Sequence, residues 1–240
     1  MARTLGTIVA LSHQIVFFGG AGVSTESGIP DFRSADGLYN QELGASIPPE
    51  EILSHSFFVS HTAEFFAYYR THLLHPQARP NQAHLALAEL ERREKLSAVI
   101  TQNIDGLHQM AGSRAVLELH GSVHRNHCLA CGRHYGLDLV AASPGIPRCP
   151  ACAGVVRPDV VLYEESLDPG VMSQAVRELA GADTLIVGGT SLAVYPAAGL
   201  LQAFRGRELV LINREPTPAD RLATLVIRGS IGQTLAEFAD

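Results

Sequence analysis

No apolar run in these 240 residues reaches the length of a bilayer-crossing helix, which argues against a helical membrane span. No basic cluster is present either, and the formal net charge is −6. An extended phosphate backbone is therefore a poor ligand, and direct nucleic-acid binding is not expected. The opening stretch, MARTLGTIVALSHQ, lacks a long apolar core followed by a small-residue cleavage site. It reads as an amphipathic helix over 3–14 rather than a secretory signal. Internal repeats and low-complexity tracts are absent. Cysteine is scarce: four residues, all in two CxxC pairs. That usage suits a cytoplasmic chain whose thiolates serve a metal rather than disulfides.

What is present is apolar material for a large core, 46% of the chain. The length allows one large domain with a smaller insertion. The organising stretch is Ile15 to Arg33, IVFFGGAGVSTESGIPDFR. Ile15 to Phe18 reads as a buried strand. Gly19, Gly20 and Gly22 follow, so the backbone there can turn sharply and come close to a ligand. Ser24 or Thr25 can then cap a short helix. A strand, a glycine turn and a helix start form an anion site suited to a diphosphate. The dinucleotide fingerprint G-x-G-x-x-G is incomplete, because Thr25 stands where the third glycine belongs. Gly28-Ile29-Pro30-Asp31-Phe32-Arg33 reads as a loop able to fold over a bound cofactor.

Further strands are expected near Ala98–Thr101, Ala115–Leu119, Val160–Tyr163, Thr184–Val187, Leu209–Ile212 and Leu225–Ile227. Helices are expected over 81–94, 169–179, 195–204 and from Ile231. Strands alternating with helices predict an α/β fold, a doubly wound parallel sheet covered on both faces. The sheet would be built by 1–33, 81–120 and 157–240. Two stretches depart from that alternation: 34–80, with aromatics from Phe57 to Tyr69 at helical spacing, and 121–156, rich in Cys, His, Pro and Gly. They are expected to form a smaller domain of helical module plus ribbon. Ligands of open α/β sheets sit past the carboxyl ends of the strands. Four such ends carry glycine or polar residues: Gly19–Gly22, Gln102–Asp105, Gly188–Ser191 and Asn213–Glu215.

Cys128 and Cys131 pair with Cys149 and Cys152 across a gap of 17 residues (132–148). That spacing brings four thiolates round one Zn²⁺, with no open position for water, so the metal is read as structural. His120, at a strand end beside Gly121, is a candidate general base near neutral pH.

Taken together, the motifs resemble the sirtuin family of NAD-dependent protein lysine deacylases. GAGVSTESGIPDFRS (20–34), TQNIDGLH (101–108), ELHGS (118–122), the two CxxC pairs, RPDVV (157–161), GTSLAVYPAA (189–198) and IN (212–213) occur in the family's order. The resemblance implies a Rossmann-like large domain and a small domain carrying a zinc ribbon. It implies NAD as co-substrate, acyl-lysine proteins or peptides as partners, and release of nicotinamide and O-acyl-ADP-ribose. By position, Gly20, Ala21, Gly22, Thr25, Phe32 and Arg33 would line the cofactor loop. Gln102, Ile104 and Asp105 would hold the ribose and nicotinamide pocket, with Asn103 near the reacting ribose. Gly189, Thr190, Ser191, Asn213 and Ile231 would meet the adenosine side. His120 would be the general base. Val160, Val161 and Tyr163 on one edge and Tyr195 on the other would pair with the substrate backbone by strand addition.

The sequence departs from the family at Tyr163-Glu164-Glu165, where an aromatic-Gly-Glu is usual. The extra carboxylate is expected to favour basic residues in the substrate. The Tyr-x-x-Arg of desuccinylases is also missing, since Ala67 stands three before Arg70, although Tyr68 and Tyr69 are close. Acetyl is therefore favoured over succinyl, with a desuccinylase or longer-chain deacylase of the same family as the alternative. Two readings outside the deacylase class are an NAD-dependent oxidoreductase with structural zinc and a zinc-ribbon binding module.

Overall fold

The computed structural model describes residues 4–32, 37 and 47–239. Among these, the strands in chain order are β1 (Ile15–Gly19), β2 (Leu96–Thr101), β3 (Val116–Glu118), β4 (Gly121–Cys128), β5 (His134–Tyr135), β6 (Val156–Val160), β7 (Thr184–Gly188), β8 (Glu208–Asn213) and β9 (Leu225–Arg228). Six of them form one sheet in the order β3-β2-β1-β7-β8-β9, and every neighbouring pair is parallel. The chain builds outward from β1 through β2 to β3, then returns to build outward on the other side of β1. Strand order reverses between β1 and β7, and a crevice opens there at the carboxyl ends.

β1 shows why the sequence does this. All five residues are buried, and side chains alternate between the two faces. Ile15 and Phe17 join Val99, Ile186 and Val210 in one core, under the helices Leu5–Leu11, Gln82–Arg92 and Ile231–Leu235. Val16 and Phe18 join Ile100, Leu185 and Val187 in another, under the helix Pro169–Gly181 and the 3-10 turn Ala197–Ala203. A strand covered on both faces needs a continuous apolar run. Each fully buried Phe or Ile contributes about 2–3 kcal/mol of burial free energy.

The first helix is shorter than the 3–14 expected. Thr4 and Thr7 close a capping box at its start. Ser12 ends it, with Oγ bonded to Ile8 O at 2.7 Å and to Thr184 Oγ1 at 2.7 Å. Lys95, the only lysine in the chain, donates Nζ to Ala10 O at 3.1 Å and Ser12 O at 2.7 Å. A cation at a helix C-terminus is favourable, and here it also ties the helix to the start of β2.

The second sheet is antiparallel, in the order β5-β4-β6. This corrects the strand expected at Val160–Tyr163. The strand is instead Val156–Val160, and it pairs with β4 rather than joining the parallel sheet. The small sheet thus reaches past the boundary expected at 157. Its core combines the two insertions: Phe58, Phe65, Phe66 and Tyr69 from the helices His55–Ser60 and Thr62–His72 pack with Val123, Val140, Val156 and Leu162. Edge-on aromatic contacts hold this module, with Phe58–Phe65 centroids at 5.0 Å and Phe65–Phe66 at 5.3 Å.

Behind the sheet's carboxyl end lie two imidazoles, His84 and His108, whose ring centroids are 4.7 Å apart. Both are fully buried, and Nε2 of His84 and both ring nitrogens of His108 have no hydrogen-bond partner among the described residues. Burial lowers His84 to about 4 and holds His108 well below the ordinary histidine value. The unfolded chain takes up protons near pH 6.5, while these native rings do not. Their stabilising contribution is therefore complete above pH 6.5 and is lost as pH falls from 6.5 toward about 4. Urea midpoints should drop between about pH 7.5 and about pH 5, and the drop should be smaller in His108→Phe. Equal midpoints at the two pH values would contradict this account.

Candidate active site

The crevice at the reversal point has a volume of about 1350 Å³. Gly20, Ala21, Gly22, Thr25, Phe32, Gln102, Asn103, Ile104, Asp105, His120, Gly189, Thr190, Ser191, Asn213 and Ile231 all line it. So do Val160, Val161, Tyr163 and Tyr195. Arg33 lies outside the described residues.

The glycine turn differs from the expected helix start. Two 3-10 turns, Ala21–Val23 and Thr25–Ser27, follow β1, and Gly28 closes the second at φ 82°. Neither turn has a side-chain cap. Ser24 and Thr25 have other partners, and Thr25 Oγ1 donates to Gly22 O at 3.0 Å. The glycines serve close approach instead. Gly22 N donates to Gly189 O at 2.8 Å. A Cβ on Gly22 would fall 2.8 Å from Gly189 Cα, and one on Gly20 would fall 2.9 Å from Thr190 Cβ. The β1 and β7 loops thus meet backbone to backbone, and the cradle they form suits a diphosphate. Gly22→Ala should weaken NAD binding at least about tenfold while the fold persists, as titration calorimetry and circular dichroism would show. Unchanged affinity would remove the turn from the cofactor site.

The β2 end supplies a network of polar side chains. Ser24 Oγ, buried, donates to Asp105 Oδ2 at 2.6 Å and accepts from Asn103 Nδ2 at 3.0 Å. Asp105 Oδ1 accepts from Leu107 N at 2.9 Å, at the start of the helix Leu107–Ala111. Ser24, considered in the sequence only as a cap, is the hub that joins the cofactor loop to the β2 end. Gln102 Nε2 donates to Thr190 Oγ1 at 3.1 Å. Asn213 at the end of β8 clamps the same segment: Thr190 N donates to its Oδ1 at 3.1 Å, and its Nδ2 donates to Thr190 O at 2.6 Å. Ile231 packs against the β7 end so closely that a Cβ on Gly188 would fall 2.0 Å from it. Glu26 fixes that segment by accepting from Gly232 N at 2.7 Å.

His120 sits just past β3, half-buried, with Nδ1 bonded to Gln102 O at 2.9 Å. A carbonyl can only accept, so Nδ1 carries the proton and Nε2 keeps its lone pair. Burial lowers the His120 pKa and the bond to Gln102 raises it; the net shift is down. At neutral pH this is a neutral imidazole with one basic nitrogen, on a ring lining the cleft.

At the other edge, Tyr163 N donates to Leu53 O at 3.0 Å and Tyr163 O accepts from His55 N at 3.0 Å. Val161 N donates to His120 O at 3.0 Å. These backbone groups are taken, so strand addition at this edge has to use others. The carboxylates expected to attract basic substrate residues are committed within the protein. Glu164, at φ 75°, accepts from Ser56 N and Ser56 Oγ, each at 2.9 Å. Burial pushes Glu165 up, but bonds from Arg157, Leu162 N and His55 bring it down to about 2.

The four cysteine sulfurs lie within 4.8 Å of one another, away from the cleft. Cys128 and Cys152 Sγ are 3.5 Å apart, and Cys131 and Cys149 Sγ are 3.7 Å apart. A tetrahedron with Zn–S bonds of about 2.3 Å has edges of about 3.8 Å, so the set fits zinc. The Tyr135 hydroxyl bonds Cys149 Sγ at 2.8 Å and lowers that thiol to about 6, favouring the thiolate a metal needs. Elemental analysis should find one zinc per chain. Chelation or Cys149→Ser should remove it and unfold the small sheet, read by near-ultraviolet circular dichroism. Full stability without metal would overturn the structural role.

Fold and site define a class: a doubly wound nucleotide-binding sheet whose cleft meets a helical module beside a Cys₄ ribbon. Comparison with known proteins gives that class its family. Residues 20–196 match the model of the Sir2 family, and the chain belongs to this family, the sirtuins. An NAD-dependent protein deacetylase of Cutibacterium acnes is 63% identical over 225 residues, covering 94% of this chain and 92% of that protein. One of Clostridium perfringens is 56% identical, covering 98% and 97%. Among solved structures, a Sir2 homologue variant with ADP-ribose matches at a TM-score of 0.89 and 38% identity, covering 100% and 95% of the two chains. A Sir2 complex with a deacetylated peptide and 3'-O-acetyl-ADP-ribose matches at 0.86 and 38% identity, covering 97% and 93%.

Proposed function

We propose that this protein is an NAD-dependent protein lysine deacetylase acting on acetyl-lysine proteins or peptides in the cytoplasm. The observation that carries the reading is His120, neutral and fixed in one tautomer, in the same cleft as the Gly20–Gly22 cradle. The relatives' names and the acetyl-ADP-ribose complex support it. The Cys₄ set suits a reducing compartment, and no helix of the described residues is long and apolar enough to cross a membrane.

When bound, NAD would supply a ribose carbon activated by its nicotinamide leaving group and a ribose hydroxyl to receive the acyl group. The rest is work for the protein. The Gly20–Gly22 turn and Gly189–Ser191 would hold the diphosphate side, Asn213 and Ile231 the adenosine side, and Gln102 to Asp105 the nicotinamide ribose. The Ser24–Asn103–Asp105 bonds orient the polar side chains before any ligand arrives, so little reorganisation is needed on binding. Nε2 of His120 would accept the proton of a ribose hydroxyl as that oxygen becomes a nucleophile. Burial of the ring keeps it neutral.

Incubation with NAD and an acetyl-lysine peptide should yield nicotinamide, free lysine peptide and O-acetyl-ADP-ribose, detected by mass spectrometry. His120→Ala should lower the rate about a hundredfold to ten-thousandfold. Because the His120 pKa is depressed, the wild-type rate should hold as pH falls to 6.5 and decline only below that. Appearance of reduced-cofactor absorbance without deacetylation would favour an oxidoreductase instead.

A further inference from the structure

His120 lies where the chain passes from one sheet to the other. β3, the strand before it, is three residues long, sits at the edge of the parallel sheet and pairs with β2 alone. β4, which starts at the next residue, belongs to the antiparallel sheet. Gly121 permits the passage: its φ is 75°, and a Cβ there would fall 1.8 Å from Asp159 O. Backbone bonds flank the ring, since Leu119 N donates to Thr101 O at 2.9 Å and His120 O accepts from Val161 N at 3.0 Å. The ring bonds Gln102 O, so its tautomer depends on where the end of β3 stands relative to the end of β2.

Beyond this point β4 bulges. Its register with β6 shifts between Ser122 and Asn126, and residues 123–125 leave the ladder. Each of the three reaches back to the parallel sheet. Val123 N donates to Ile104 O at 3.0 Å, and His124 Nε2 donates to Asp105 O at 3.0 Å. Arg125 Nη1 donates to Glu118 Oε2 at 2.6 Å. The first two hold the loop after β2, and the third holds the end of β3.

The third contact bears on His120. The Glu118 side chain is 8% exposed and that of Arg125 54%, so a nearly buried carboxylate depends on a cation at the surface. Deprived of that cation, the carboxylate would move toward water. It would take with it the end of an edge strand, two residues before His120. An ångström of misplacement at a reacting group costs about a hundredfold in rate. We infer that Arg125, acting through Glu118, is a positioning residue for His120. It fixes the end of β3 so that the ring keeps its bond to Gln102 O and stays in one tautomer. Neither Arg125 nor Glu118 lines the cleft. The inference rests on the deacylase reading above.

The test separates two rates in Arg125→Met, which removes the cation and keeps a long stem. Exchange of labelled nicotinamide into NAD, with acetyl-lysine peptide present, reads cleavage of the nicotinamide bond, before His120 takes its proton. Deacetylation needs both steps. Its kcat should fall about tenfold or more, while exchange and both KM values stay within about twofold. Arg125→Lys should recover about half of the wild-type kcat. Exchange and deacetylation falling together in a folded Arg125→Met would overturn the inference, and so would neither falling. If Arg125→Met does not fold, as circular dichroism would show, the same ratio is read in Glu118→Leu, which leaves no charge buried. A wild-type ratio there overturns the inference.

Nitrogen NMR of labelled histidines gives a readout without turnover. The His120 signal, identified by its loss in His120→Ala, should show the proton on Nδ1 alone in the wild type and a mixture of tautomers in Arg125→Met. An unchanged signal overturns the inference. A changed signal in a protein that deacetylates no peptide would overturn the deacylase reading and leave the hold of Arg125 on His120 standing.

Discussion

Two loops touch backbone to backbone at the head of the parallel sheet, and the site depends on that contact. Gly22 gives its amide to Gly189 O at 2.8 Å. Gly189 is at φ +60°, and a Cβ there would fall 2.4 Å from Val23 N. Glycine is needed at this residue for space and for conformation alike. The contact draws the β1 and β7 ends together, which sets Thr190 within reach of Gln102 on one side and Asn213 on the other. Four strand ends distant in sequence become one rim. A larger residue in either glycine position would pry the rim apart.

The polar residues on that rim are largely satisfied by one another. Ser24, Asn103 and Asp105 form a closed set, Asn213 holds Thr190 by both its backbone groups, and Glu26 anchors Gly232. Buried polar groups would be expensive without partners, so the protein supplies them internally. A network already in place meets its ligand with the geometry set. His120 follows the same logic. Its bond to Gln102 O decides the tautomer, and its burial decides the charge.

The small domain closes the cleft from the other side, and its two segments need each other. The aromatic helices have an apolar face, and the ribbon sheet is too small to bury one alone. Joined, they share a core from Phe58 to Val156 that includes Cys128 and Cys149 of the Cys₄ cluster. The Glu164-Glu165 strap fixes the module to the cleft edge. Glu164 bears a left-handed backbone, and its carboxylate bonds to Ser56 give the strained residue a structural return. The carboxylates thus act within the fold, although their sequence position pointed to the substrate.

Much of this was legible in the chain alone. The apolar run of β1, the glycines after it and the CxxC spacing determined the parallel sheet, the crevice and the thiolate cluster, because each follows from local backbone and ligand chemistry. The residues at four strand ends could be grouped because a doubly wound sheet puts its carboxyl ends on one side. Partner choice lay beyond the sequence. That Ser24 bonds Asp105 across 81 positions, that Val156–Val160 leaves the parallel sheet for β4, and that Tyr69 rather than Arg70 faces the cleft are outcomes of packing. Local pattern sets which groups a segment offers, but tertiary structure decides which of them meet, since that depends on how two cores and two sheets fit together in space.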